Sequence, residues 1–71
     1  MKKTIHVSFP GGKRVFAVTG DKVIKTDQSE QHGGAGEYPE PFECFLASIA
    51  TCSGIYALEF CLKRELSTEG L

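Results

Sequence analysis

Charge of one sign is missing from this chain: eight Lys and Arg stand against nine Asp and Glu, a net of −1. The basic residues are dispersed apart from the Lys2-Lys3 pair, so there is no electrostatic footprint for nucleic acid, and no such partner is expected. Close pairs of metal ligands are missing too. The three cysteines fit no C-x2-C pattern, and His6 and His32 are far apart, so neither a structural metal nor another cofactor is expected. The first residues, MKKTIHVSFPGG, hold two lysines but no long apolar core of a signal peptide. An odd number of thiols without such a segment argues against a secreted disulfide scaffold. A soluble, cytoplasmic protein is the expectation. There is no internal repeat and no low-complexity segment.

What is present divides into two unlike halves. Residues 4–9 (TIHVSF) alternate weakly, Pro10-Gly11-Gly12-Lys13 is turn chemistry, and residues 14–19 (RVFAVT) are rich in strand formers. Gly20-Asp21-Lys22 turns the chain again, and residues 23–26 add a short third strand. This pattern predicts an antiparallel β-meander. Residues 27–37 (DQSEQHGGAGE) have no apolar period and read as a loop.

Residues 41–66 (PFECFLASIATCSGIYALEFCLKREL) then predict one long helix. Pro41 suits the first turn, Glu40 or Glu43 complements the positive end of the dipole, and Lys63 and Arg64 complement the negative end. Glu59 and Lys63 are an exposed i,i+4 pair in the favourable order. Residues 45–62 are long enough for a membrane span, but Ser48, Thr51, Ser53 and Gly54 dilute them and Glu59 interrupts them, so no membrane is expected. The helix is instead expected to be buried on nearly every side, with the sheet packed on it in an α+β arrangement.

That expectation conflicts with size. Seventy-one residues form one unit near the limit at which a lone core is marginal. A three-stranded sheet covers one face of a helix, yet this helix is apolar on nearly all of them. The chain is therefore expected to be part of a larger domain, an oligomer, or both, with residues 67–71 (STEGL) as the entry to another element.

Cys44, Cys52 and Cys61 all lie on the predicted helix. At ~1.5 Å rise per residue, Cys52 is roughly 12 Å from Cys44 and roughly 13.5 Å from Cys61 along the axis. Those separations exceed the ~7 Å Cα limit of a disulfide. Ser48 and Tyr56 share the face of Cys52, one turn away on either side.

The loop His32-Gly33-Gly34-Ala35-Gly36, followed by Pro41, Glu43, an apolar helix and the cysteine of Ala50-Thr51-Cys52, resembles the osmotically inducible protein C and organic hydroperoxide resistance (OsmC/Ohr) family. The whole chain is similar to the N-terminal half of such a protein. The P-x-E spacing looks more like the OsmC-like branch than the dedicated organic hydroperoxide reductases. The resemblance implies an intertwined α+β homodimer with central helices buried between sheets. It also implies a cysteine-based peroxidase acting on organic or small hydroperoxides at the expense of a thiol reductant. Cys52 would be the peroxidatic residue, with Arg14 or Lys13 of the first hairpin as its activating cation and Glu43 as the orienter of that cation. A cation is needed because an ordinary thiol, with pKa near ~8.5, is only slightly ionised at neutral pH. The residues themselves also permit a plainer reading. Cys52, Cys44 and Cys61 pack as small hydrophobes, Glu43 serves the helix dipole, and Lys13 and Arg14 are solvated edge charges. The chain would then be a non-enzymatic module whose helix serves oligomerisation.

Overall fold

The computed structural model describes residues 3–70, so Lys2 and Leu71 lie outside the described residues. The fold is α+β: a three-stranded antiparallel sheet of order β1-β2-β3 followed by one helix. The strands are β1 (Ile5–Gly11), β2 (Arg14–Thr19) and β3 (Lys22–Thr26). The first two strands reach the expected positions, with β1 running on to Gly11 because Phe9 and Pro10 form an irregularity between the Ser8 and Gly11 pairings. Pro10 is tolerated there because β1 is an edge strand and an irregular one. The β2–β3 hairpin closes through Gly20-Asp21, with Thr19 opposite Lys22. Gly20 takes φ 61°, the left-handed value that a tight two-residue hairpin asks of its first turn residue.

Register decides what each face of the sheet carries. Val7 pairs with Ala17 and Ala17 with Ile24, while Ile5 faces Thr19 and Val15 faces Thr26. Directly paired residues share a face, so one face is built from Ile5, Val7, Val15, Ala17 and Ile24. The opposite face carries His6, Ser8, Arg14, Phe16, Val18 and Lys25. Phe16 is met edge-on by Tyr38 at 5.6 Å, and the Lys25 ammonium lies 5.6 Å from both rings. The loop after β3 therefore reaches the face that carries Phe16, while Ile5, Val7 and Ile24 on the other face are exposed by about half or more.

The helix α1 (Pro41–Lys63) stops three residues before the expected end. Its last turn closes in a Schellman arrangement: Leu66 N–H reaches Cys61 C=O at 2.8 Å and Glu65 N–H reaches Leu62 C=O at 3.3 Å. Glu65 holds the left-handed position, φ 54°, that usually belongs to glycine.

Within one chain the helix is not buried. No residue of α1 is buried and no hydrophobic side chain of the described residues is, so the expected buried central helix is absent at this level. Nor does the sheet pack on it; extensive contact is confined to neighbouring strands. The radius of gyration is 16.1 Å, against roughly 11 Å for a compact domain of this length. Accessible surface is 6022 Å², against roughly 4,300 Å² expected of a compact protein of this mass. By length and composition α1 could also cross a membrane, and none of that segment is buried.

Candidate functional site

The polar groups of the chain converge where the loop of residues 27–40 crosses the sheet and delivers the chain into α1. Asp27, immediately after β3, is the one fully buried side chain among the described residues, at 1% exposure. Its Oδ1 accepts Gln28 N–H at 2.7 Å and its Oδ2 accepts Glu37 N–H at 3.1 Å. Its own N–H donates to Pro39 C=O at 3.1 Å, and Gly36 N–H donates to Gln28 C=O at 3.0 Å. The loop is thus closed on itself at its base. Burial pushes the Asp27 carboxyl up, but the N–H groups of Glu37 and Gln28, with the Arg14 charge and the Ala35 N–H, outweigh it and hold the group below its ordinary range.

Gly34 is required by this closure. A Cβ there would sit 2.0 Å from Gln28 O and 2.8 Å from Asp27 Oδ1.

Glu37, fixed through its backbone by Asp27, pairs with Arg14: Arg14 Nη2 donates to Glu37 Oε2 at 2.7 Å, with the side chains 31% and 49% exposed. The hydrogen bond from Arg14, then that from Tyr38, lowers the Glu37 carboxyl. The same bond with Glu37 raises the Arg14 guanidinium, and hydrogen bonding to Glu37 is the main cause of the raised Tyr38 hydroxyl. Arg14 is therefore permanently cationic and held by a carboxylate.

A second cluster holds the helix entry. Glu40 is the N-cap residue of α1, and its Oε2 accepts Ser29 N–H at 2.9 Å and lies 2.6 Å from His32 Nδ1. The hydrogen bonds from His32 and Ser29 lower the Glu40 carboxyl from its ordinary 4.5 to about 2. Glu43, on the first turn, accepts Glu40 N–H at 2.9 Å, half of a capping box.

The sequence candidates therefore sit apart from one another in a single chain. Glu43 is engaged with the helix cap, and the carboxylate on Arg14 belongs to Glu37. Lys13 reaches toward the loop at Gly33, where an added Cβ would lie 3.5 Å from its Cε. Cys52 is exposed, in mid-helix, and none of the ion pairs and hydrogen bonds among the described residues involves its sulfur. On its face, the Ser48 hydroxyl is spent on Phe45 C=O at 2.7 Å, and Tyr56 is 74% exposed. Among the described residues no three potential metal ligands converge.

Asp27, Glu37 and Tyr38 were not singled out by pattern, and His32 and Glu40 were named only separately, not as a pair. One signal was available for Asp27: an Asp at the end of a strand, before a Gly-rich run, is apt to accept nearby backbone N–H groups. No family model, no curated protein and no solved structure matches this chain.

Proposed function

We propose that this chain is an OsmC-like thiol peroxidase that acts as an intertwined homodimer in the cytoplasm. The observation that carries the reading is an arginine, Arg14, clamped by a loop carboxylate next to the entry of an apolar helix whose middle bears a free cysteine, Cys52. An arginine held in this way keeps its charge at every working pH and has a fixed direction, from which it can meet a developing anion that assembly brings near.

In the proposed reaction the Cys52 thiolate attacks one peroxide oxygen of an organic or small hydroperoxide. The S–O bond forms as the O–O bond breaks, and the alkoxide takes a proton to leave as an alcohol. The resulting sulfenic acid condenses with a thiol, releasing water and forming a disulfide. A second thiol of the reductant then exchanges with that disulfide and restores Cys52. Arg14 supplies the cation, Glu37 rather than Glu43 holds it, and Lys13 is the alternative cation on the same hairpin.

The assembly is part of the proposal. The accessible surface exceeds that of a compact protein by on the order of 1,700 Å² per chain, the range buried per partner in obligate dimers. If half of that excess is apolar, its burial yields on the order of 20 kcal/mol gross, more than the whole stability of an ordinary domain. Covering α1 with the apolar face of a sheet also brings hairpin residues near the helix.

The test treats the purified protein with a slight excess of an organic hydroperoxide, traps sulfenic acid and locates the label by mass spectrometry. Label is expected at Cys52 before Cys44 and Cys61, and it is expected to fall when Lys13 and Arg14 are both neutralised. Equal or slower labelling at Cys52 sinks the reading. A second reading, a non-enzymatic module whose helix serves oligomerisation, is favoured by the lack of a buried hydrophobic residue in α1 or elsewhere among the described residues. It predicts assembly with no order of reactivity among the thiols.

A further inference from the structure

Among the described residues the one charged side chain withdrawn from water is Asp27, and it takes no part in the thiol chemistry set out above. It makes no ion pair of its own among the described residues. Its two oxygens are instead spent on backbone N–H groups at the two ends of the loop, Gln28 at 2.7 Å and Glu37 at 3.1 Å. Burying a carboxylate is costly unless its lone pairs are satisfied. The pattern of satisfaction is informative because the Glu37 N–H belongs to the residue whose side chain clamps Arg14.

We propose that Asp27 is a positioning residue: its buried carboxylate pins the backbone of Glu37, and through Glu37 it fixes the direction of the Arg14 guanidinium.

Three further features converge on this role. Asp27 N–H is tied to Pro39 C=O, so the residue is anchored from both sides of the loop. Gly34 leaves no space for a side chain between Asp27 and Gln28. Tyr38, adjacent to Glu37, lies against Phe16 of β2, two residues from Arg14, so the pinned segment is registered on the strand that carries the arginine. Without this pin, Glu37 would sit on an eleven-residue Gly-rich loop and Arg14 would have a mobile partner. Asp27 acts through Glu37 and touches no reacting atom. The inference rests on the peroxidase reading only for its consequence at Cys52.

The experiment uses the full-length protein and follows two readouts in Asp27→Asn. An asparagine keeps the shape but turns one oxygen into a donor that faces an N–H. The first readout is the titration of the Glu37 side-chain carboxyl by carbon-13 NMR, which is independent of any activity. Loss of the Asp27 charge by itself lowers this midpoint, since that charge raises Glu37, so a net rise toward the ordinary carboxylate range in Asp27→Asn is expected because the Arg14 clamp loosens. An unchanged or lowered Glu37 midpoint overturns the proposal.

The second readout is the pH profile of Cys52 alkylation. A thiol pKa raised by about half a unit lowers the thiolate fraction about threefold below the midpoint. A fall of about that size is expected in Asp27→Asn, with no additional fall when Arg14→Gln is already present; additive losses overturn the proposed route through Arg14. If Arg14→Gln alone leaves Cys52 unchanged, the route from Asp27 to Cys52 is overturned; if neutralising Lys13 as well leaves it unchanged, the peroxidase reading is overturned, and the Glu37 titration still decides the positioning. Should Asp27→Asn fail to fold, the reciprocal measurement decides. In Arg14→Gln, a change at a half-buried side chain, exchange of the Glu37 amide proton that Asp27 accepts is expected to quicken, and an unchanged rate overturns the proposal.

Discussion

The loop of residues 27–40 and the helix that follows it are held by opposite means. The loop is held by polar contacts and by Tyr38 on Phe16: Asp27 and Glu40 each accept hydrogen bonds from two neighbours, and Glu37 accepts one from Arg14. The helix has the reverse. Its backbone is capped at both ends, and its side chains have Phe42, Phe45, Leu46, Ile49, Ile55, Phe60 and Leu62 exposed by about half or more. A hydrogen-bonded loop completes itself within one chain because its partners are local in sequence. An apolar helix cannot, because the hydrophobic effect needs area from elsewhere. The hydrogen-bonded loop is thus closed within the chain, while the apolar surface of the helix is left uncovered in it.

The change expected to break this contrast most severely falls on α1. Ile49→Asp leaves the loop network untouched and places an unpaired charge on the surface proposed to be covered. It is expected to weaken self-association about a hundredfold or more, since an uncompensated buried charge costs several kcal/mol. Sedimentation velocity across a dilution series checks it, and unchanged association would mean that this face of α1 is free in the assembly.

Gly34→Ala attacks the other region. With its Cβ 2.0 Å from Gln28 O, the loop base must open, at a cost of about 2–4 kcal/mol. Urea unfolding reads the loss, and a cost near that of an ordinary surface change would show that the loop base yields easily.

Acid sharpens the contrast at the junction of the two regions. The Glu40 carboxyl is depressed from its ordinary 4.5 to about 2, so its contribution is complete above about 4.5, the value it has when unfolded. That contribution is lost as pH falls toward the folded value of about 2. The first turn of α1 is expected to fray in that window while its C-terminal turns persist. Amide exchange near residues 40–44 provides the measurement, and Glu40→Gln removes the acid step.

The smallest effect belongs to the helix exit. Glu65 adopts φ 54°, a conformation that costs a side-chain-bearing residue on the order of 1 kcal/mol. Glu65→Gly is expected to stabilise the fold by about 0.5–1 kcal/mol. Thermal unfolding checks this, and a destabilised variant would mean that Glu65 makes contacts in the assembly that outweigh its backbone cost.

How much was legible in sequence follows the same division. The hairpin turns were readable because Gly11-Gly12 and Gly20-Asp21 carry their conformational signal in one or two residues. Pro41 and Glu43 likewise announced the start of α1. Its end was misread, since the Schellman closure puts a glutamate where glycine is the usual marker. In the candidate site, Arg14 and Cys52 were visible as residue types in a pattern. The pairing of Arg14 with Glu37, 23 residues away, was not, because a loop without periodicity gives no sign of which of its carboxylates will face a strand.

The sequence by itself determined the elements and their order, since strand alternation, turn residues and helix caps act over a few residues. It also determined that the helix is apolar on nearly every side, which follows from composition. Only the tertiary structure decided that Asp27 is buried, that Glu37 and not Glu43 meets Arg14, and that Val7, Ala17 and Ile24 share one sheet face. Those outcomes depend on register and on the path of a loop through space, where one residue of slip exchanges the faces of a strand.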